Sequence, residues 1–478
     1  MTRRYLAAAT AVAAATVGAT LWNSSRSASP PQAAQVAATP GPPPVRRAPY
    51  DPQQAAQNVA FWQGRVRYDP QGAISYSNLA GAYMALQRET GDIGYAIKAE
   101  QAARLSLKIT PSHAETRRRL SRILLMQHRF GEALAALKNA SPEDTDAQRL
   151  KVDLFVELGD YASAQHALGL SPPQGEEDAN YYSLRARLLA IHGQPQRALA
   201  DVRTATAQAS ANIDAPPESI AWYHWSEARV LANMGRGKEA AQQLKQALQI
   251  FPRDYRAMNF LAHIAANDGD WKGAVGWARQ AEAIVPEPDT VALLGDAYIA
   301  LGQRKQAAQQ FALVEAIARL TRARGMVYDR PRALFYADHN RHLAEALALA
   351  QGEMKLRHDI YSYDTLAWVS YKNGLLAPAR QAAASALAFN TQDAMLWYHA
   401  GVIAQASGHS LEARRDLQKA LAINPRFHPS APLQARALLA RLEMPNLQGK
   451  AASTAPIARQ AGQAAGVTGI KRGARAKG

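Results

Sequence analysis

Bulky and small apolar residues alternate at helical spacing along LLGDAYIALGQRKQAAQQF, residues 293–311. Apolar residues three and four positions apart form one face of an α-helix, so this stretch predicts two helices. Gly302 lies between them, and glycine adopts the left-handed conformation that ends a helix without strain. The stretch contains no obvious catalytic group, so its pattern indicates helix packing and not a reactive site.

The same pattern recurs with a period near 34 residues. A glycine followed five positions later by alanine marks each copy, at Gly159, Gly193, Gly235, Gly269, Gly302, Gly374 and Gly408. A fixed period of this length is typical of one supersecondary unit stacked many times. We predict about ten helix pairs, and their register is poorest over 329–358. The pairs begin near residues 73, 114, 145, 180, 220, 255, 289, 330, 360 and 394.

These units resemble the tetratricopeptide repeat, whose signature places W-x₂-L-G-x₂-Y before A-x₃-F and a final proline. Val291 replaces the tryptophan and Arg319 replaces the proline in the clearest unit. The resemblance covers roughly residues 70–428 and implies an all-α, right-handed superhelical solenoid whose first helices line a concave groove. The match in that unit is carried by Leu294, Gly295, Tyr298, Gly302, Ala307 and Phe311.

Composition divides the chain into six segments. Proline and alanine dominate the second, and alanine, glycine and basic residues dominate the last, which are compositions that do not build a packed core. We expect a signal peptide or membrane anchor over 1–29, a linker over 30–50, a leading helix over 51–72, the solenoid over 73–428, a capping helix over 429–444 and a disordered basic tail over 445–478.

The N-terminus has the layout of an export signal. Arg3 and Arg4 precede an uncharged run over residues 5–25. A positive segment followed by an apolar one is typical of a secretory signal, and the run is nearly long enough to span a bilayer. We therefore predict an exported protein of the periplasm or cell envelope. Cleavage of the signal and anchoring in the inner membrane through residues 5–25 both stay open.

The charge of the chain lies mostly in its two ends. The formal net charge is +16, and residues 1–50 and 445–478 together hold eleven basic residues and no acidic ones. The excess over 51–444 is therefore only +5, so we do not expect nucleic-acid binding by the solenoid. The absence of cysteine excludes disulfides, cysteine-ligated zinc and a thiol nucleophile.

The sequence carries no motif for catalysis or for a cofactor. It lacks GxSxG, HExxH and a phosphate-binding glycine loop. His339 and His342 share a helical spacing, with His358 further along, but no third ligand has the spacing that a zinc site requires. The scattered aspartates and glutamates predict solvated faces. We predict neither an enzyme nor a cofactor.

The resemblance implies that the groove binds an extended peptide or a helix of a protein partner. Aromatic and arginine side chains are the commonest binding hot spots. The alternative is a carbohydrate-binding module for polysaccharide export or envelope assembly, in which the same aromatics stack on sugars. A carboxylate clamp for C-terminal peptides is not supported, because Trp225 and Arg229 occupy the first pair of positions that it needs and only Asn259 matches in the next unit. The candidate groove residues are Trp222, Trp225, Arg229, Asn233, Asn259, His263, Tyr361, Asp364, Tyr371, Lys372 and Tyr398.

Overall fold

The computed structural model describes residues 50–175, 178–323 and 330–443, and within them it contains 22 α-helices and no strand. This confirms the predicted all-α solenoid. Helices α2 to α21 form ten consecutive pairs, with α1 before them and α22 after them. The helices are α1 Gln54–Tyr68, α2 Ala73–Thr90, α3 Ile93–Ile109, α4 Ala114–Met126, α5 Phe130–Ala136, α6 Thr145–Leu158, α7 Tyr161–Gly169, α8 Ala179–Ile191, α9 Pro195–Ala211, α10 Pro217–Asn233, α11 Gly237–Ile250, α12 Tyr255–Asn267, α13 Trp271–Ile284, α14 Pro288–Ala300, α15 Arg304–Ala323, α16 Arg330–Asp338, α17 Leu343–Glu353, α18 Ile360–Lys372, α19 Leu376–Ala386, α20 Ala394–Ala406, α21 Ser410–Ile423 and α22 Ala431–Glu443.

Local chemistry fixes where these helices begin and end. The glycine of each clear unit has a positive φ, for example 75° at Gly302 and 81° at Gly408, which is the left-handed region that closes a helix. In the unit over 329–358 this place is taken by Asn340 with a φ of 51°. Asparagine tolerates that region better than most residues, so the poorest repeat still turns. Side-chain caps come from the aspartates Asp92, Asp144, Asp160, Asp178, Asp254, Asp270, Asp359 and Asp393.

Within a pair, small residues let the two helices approach each other closely. A Cβ atom on Gly295 would lie 2.2 Å from the ring of Phe311, and one on Gly401 would lie 2.7 Å from Leu417. The alanine that follows each turn glycine by five residues is also fully buried, as at Ala274. The signature positions therefore work as matched small and large partners across one helix pair.

The solenoid coils back onto itself, so that residues roughly 200 positions apart are in contact. The Tyr50 ring meets Phe251 edge-on at 5.0 Å. His358 N–H donates to the Leu158 carbonyl at 2.9 Å, and Asn424 Nδ2 donates to the Ala232 carbonyl at 2.9 Å. We therefore call α1–α11 the first turn of the superhelix and α12–α22 its second turn. Six repeats of about 34 residues complete one turn.

A group of charged side chains around the buried Arg357 joins the two turns, and we call it the inter-turn clasp. Arg357, of which only 2% of the side chain is exposed, donates to Glu157 of the first turn at 3.0 Å and to Glu353 of its own turn. Glu157 also accepts from Arg187, which reaches Asp153 at 3.2 Å. A charge as buried as that of Arg357 is stable only when it is paired, so the clasp depends on the carboxylates around it.

Candidate partner-binding channel

The inner surface of the superhelix encloses a channel of about 2040 Å³. Its wall is built by the first helices of successive repeats, α10, α12, α14, α16, α18 and α20, and by α22. Residues from the first turn such as Gln87 and Met126 also contribute to it. Because the second helices pack behind the first ones, the residues of the wall are not all needed for the core and are available to contact a ligand.

Ten of the eleven candidate residues line this channel. They come from four helices that are far apart in the sequence, and the coiling of the solenoid brings them to one surface. These residues are Trp225, Arg229 and Asn233 on α10, Asn259 and His263 on α12, Tyr361, Asp364, Tyr371 and Lys372 on α18, and Tyr398 on α20.

Trp222 is the candidate that does not line the channel. Its side chain is 39% exposed and meets the Tyr223 ring edge-on at 5.1 Å. A residue three positions before Trp225 is rotated from it by about 60° around the helix axis, so the two indoles leave α10 in different directions. His224 is buried and bonds Gln243 Oε1 at 2.7 Å, and burial raises the pKa of Tyr223 to about 12. Of the four consecutive bulky residues 222–225, only Trp225 therefore lines the channel.

Three histidine–aspartate pairs lie in the channel wall. His263 Nε2 is 2.9 Å from Asp289, His339 Nε2 is 2.8 Å from Asp296, and His399 Nδ1 is 2.9 Å from Asp364. The prediction that the aspartates form solvated faces was wrong for Asp364, which is buried, whereas Asp289 and Asp296 remain partly exposed to solvent. The partners lie 26 to 43 residues apart, close to one repeat, so a search for His and Asp separated by one period would have suggested them.

The first pair shows how the wall controls charge. Burial acts to raise the pKa of Asp289, but the charge and hydrogen bond of His263, together with the amide of Asn259, outweigh it and lower the pKa to about 2. Burial also acts to lower the pKa of His263, and Asp289 overrides it so that the net change is upward. Both members are therefore charged over the range between these two pKa values.

Trp368 connects two of the repeats. Its ring stacks on His399 at 4.1 Å, and its Nε1 donates to Asp338 Oδ1 at 2.7 Å. Tyr398 is similarly held, because its hydroxyl donates to Gln434 of α22 at 2.6 Å. These contacts make both rings rigid parts of the wall, and the hydroxyl of Tyr398 is already used by the protein.

Two cations of the wall lie over indole rings. The Arg229 guanidinium is 5.4 Å from the Trp225 ring, and the Lys372 amine is 5.4 Å from the Trp368 ring. Burial lowers the pKa of Arg229. Burial also lowers the pKa of Lys372, and it outweighs the negative charge of Asp338, which acts to raise that pKa. Both side chains are half-buried. A cation on an aromatic face keeps its hydrogen-bonding edge available to a ligand.

The histidines considered for metal binding go to separate partners. His339 bonds Asp296, His342 lies 3.8 Å from Glu315, and the His358 ring faces Tyr363 at 6.2 Å. Across the described residues, no group of three or more histidines and carboxylates is arranged to hold a metal ion. In the same part of the chain, no helix combines the length and apolarity needed to cross a bilayer. Residues 5–25, proposed as a membrane tether, lie outside it.

Comparison with known proteins identifies the repeat. Residues 124–188 match the family model of the tetratricopeptide repeat. The fold is similar to PilW, a widely conserved type IV pilus biogenesis factor (19% identity, 43% of this chain and 93% of that one, TM-score 0.36), and to a tetratricopeptide repeat protein from Parabacteroides merdae (17%, 49% and 92%, 0.34). It is also similar to the Cut9–Hcn1 hetero-tetramer of the APC/C (14%, 81% and 96%, 0.32). No curated protein matches the chain.

Proposed function

We propose that this chain, which belongs to the tetratricopeptide-repeat family, is a non-enzymatic scaffold that holds a segment of a protein partner in the channel of its solenoid. The observation that carries the proposal is the channel itself. Its wall is continuous over seven helices and combines aromatic, amide and charged side chains. That composition fits the side chains and backbone of a polypeptide, since aromatic rings supply contact area and amides pair with peptide groups.

The aromatic faces of the channel favour a polypeptide over a sugar. The Trp368 ring carries His399 stacked on it and Lys372 over it, and the Trp225 ring carries Arg229. Sugar stacking needs an open aromatic face, and these faces are already in contact with other side chains. Glycan binding is therefore the outcome that would speak against the proposal.

We further propose that the scaffold works in the bacterial cell envelope. Support comes from the arginines at positions 3 and 4 and the uncharged run over residues 5–25. Fusing residues 1–50 to a reporter that is active only after export tests this location. A reporter that stays inactive, while the same reporter behind a known signal is active, would contradict it.

Two tryptophans on one helix provide a matched test of partner binding. Trp225→Ala removes an indole from the channel wall, and Trp222→Ala removes one from outside it. Loss of a hot-spot tryptophan costs about 2 kcal/mol or more, so we expect capture of partners from envelope extracts, quantified by mass spectrometry, to fall at least tenfold for Trp225→Ala alone. Circular dichroism checks that both variants fold. Equal capture by the two variants would exclude the channel as the binding surface.

A further inference from the structure

Most acidic residues of the channel wall are already bound to other groups of the protein. Among the described residues Glu287 is the exception, and burial raises its pKa to about 7, which favours its neutral form. Three aspartates pair with histidines, Asp338 accepts from the Trp368 indole, and Asp393 caps α20 by accepting from Met395 N–H at 3.1 Å. The three paired with histidines are Asp289, Asp296 and Asp364. Carboxylates that are satisfied in this way attract a cationic ligand weakly, because binding it would require them to give up their present partners.

Most arginines of the channel wall already form ion pairs with carboxylates of the protein. Arg256 reaches Asp254 at 3.2 Å, Arg330 reaches Glu353 at 3.1 Å, and Arg236 reaches Glu239 at 2.6 Å. The pairs of Arg256 and Arg236 lie at helix starts, and that of Arg330 joins the two helices of one repeat.

Arg229 and Lys372 differ from these cations. Neither forms an ion pair or donates a hydrogen bond anywhere in residues 50–175, 178–323 or 330–443, and each lies against an indole. Their lowered pKa values have the same origin, since burial removes water and outweighs the attraction of nearby groups such as Asp338 beside Lys372. A half-buried cation that forms no direct ion pair is stabilised by an anion that enters the channel.

The amide of Asn259 indicates what kind of molecule carries that anion. Its Nδ2 donates to Asp289 at 2.8 Å, which fixes the orientation of the group. Its Oδ1 is buried and accepts no hydrogen bond in the described part of the chain. Because Asn259 lines the channel, a small movement of its side chain would bring this buried carbonyl to the surface, where it can accept from a backbone N–H of an extended peptide, a donor that a phosphate or sulfate does not offer.

We propose that the channel recognises an acidic polypeptide segment, whose glutamate or aspartate carboxylates bind Arg229 and Lys372 while its backbone passes Asn259. The inference rests on the proposed scaffold function and specifies the chemistry of the partner. Trp225 and Trp368 hold the two cations in place, and the planar guanidinium of Arg229 presents two parallel donors to a carboxylate.

Fluorescence anisotropy of the full chain with labelled peptides tests this proposal. The probes are a Glu-Ala repeat peptide, its Gln-Ala counterpart of equal length, and a single-stranded oligonucleotide of the same net charge. We expect the Glu-Ala peptide to bind and the other two to bind at least tenfold more weakly. Charged hydrogen bonds contribute about 1.5–3 kcal/mol each, so Arg229→Gln with Lys372→Gln should weaken binding of the Glu-Ala peptide by about tenfold or more.

The outer helix α13 offers a control with the same change in net charge. Lys272 and Arg279 are exposed there and do not line the channel, so Lys272→Gln with Arg279→Gln should leave the affinity within about twofold. Equal weakening by the two double variants, equal binding of the Gln-Ala peptide or the oligonucleotide, or no binding of the Glu-Ala peptide would overturn the inference. In each case the proposed scaffold function stands if Trp225→Ala alone still loses partner capture, and it falls if that variant behaves like Trp222→Ala.

Discussion

The turn glycines of the first and second superhelical turns have the same backbone conformation but different surroundings. A Cβ atom on Gly159 would lie 2.4 Å from the backbone of His358, and one on Gly193 would lie 2.3 Å from the Asn390 carbonyl. The equivalent glycines of the second turn have open space at that position, as at Gly374 and Gly408. Glycine is therefore required at Gly159 and Gly193 for two reasons, the positive φ and the close approach of the next turn, and at Gly374 and Gly408 for the positive φ alone.

This difference shows that the edge of the first turn is an internal interface. His358 and Ile360 of α18 and the loop before it meet Leu158 and Tyr161 through hydrogen bonds of 2.9 and 3.0 Å. The inter-turn clasp lies at the same place. These contacts hold the superhelix closed, and a closed superhelix is what gives the channel a complete wall.

Breaking the clasp should have the largest effect. Arg357→Gln removes one member of a buried charge network, and such losses cost about 3–5 kcal/mol. Arg380→Gln is the matched change within the second turn, because the ion pair of Arg380 with Glu412 is 38% exposed on both sides and contributes about 0–1 kcal/mol. Urea unfolding measures both, and small-angle X-ray scattering should show a longer particle for Arg357→Gln. Equal losses of stability would mean that the clasp does not hold the turns together.

The glycines themselves give a smaller and more direct comparison. Gly159→Ala and Gly408→Ala both place a side chain at positive φ, which costs about 1–2 kcal/mol. Only the first also meets another backbone, so its free energy of unfolding should fall by about 1–3 kcal/mol more than that of Gly408→Ala. Urea midpoints compare the two variants. If Gly408→Ala proved as damaging, the turns would not be in close contact in solution.

The smallest expected effect concerns proton binding in the second turn, which contains all three histidine–aspartate pairs described above. His263 has a pKa raised above 6.5, so its contribution to stability is present below pH 6.5 and is lost as the pH rises through the raised value. Asp289, with its pKa lowered from 3.8 to about 2, contributes above pH 3.8 and loses this as the pH falls toward 2. Asp289→Asn should lower the pKa of His263, which an NMR titration of the histidine ring measures.

The exposed Asp214 provides the control for this titration, because Asp214→Asn removes the same charge from a loop outside the channel. It should leave the pKa of His263 unchanged. Similar shifts for the two variants would indicate a general effect of net charge and not the pair seen in the wall.

The fold could be predicted closely because its signals are local. The predicted starts at 180, 220 and 289 lie within three residues of the observed starts at Ala179, Pro217 and Pro288. Turn glycines and small residues at fixed spacing decide these boundaries within one unit. The repeat phase also placed Asn233, Asn259 and the other channel candidates on the first helices, since residues at one phase share one face of the solenoid.

The site could be predicted only in part. The position of a residue within the repeat predicts which face of the solenoid it lies on, but not which other side chains come within contact distance of it. Trp222 and Trp225 belong to one run in the sequence, yet only Trp225 lines the channel. Asp364 was a candidate for binding, and in the structure it is the partner of His399. No pattern within a single unit reports which side chains of neighbouring units bond to each other.

The sequence by itself determined the repeating helix pair, its length, its turns and the face that it turns inward, because each depends on residues within about 34 positions of one another. The tertiary structure decided which glycines lie beneath another turn, that Arg357 meets Glu157 across 200 residues, and that Arg229 and Lys372 lie against indoles without a direct ion pair to any described residue. Those outcomes depend on the small rotation between successive repeats, which accumulates over six units before two distant segments meet.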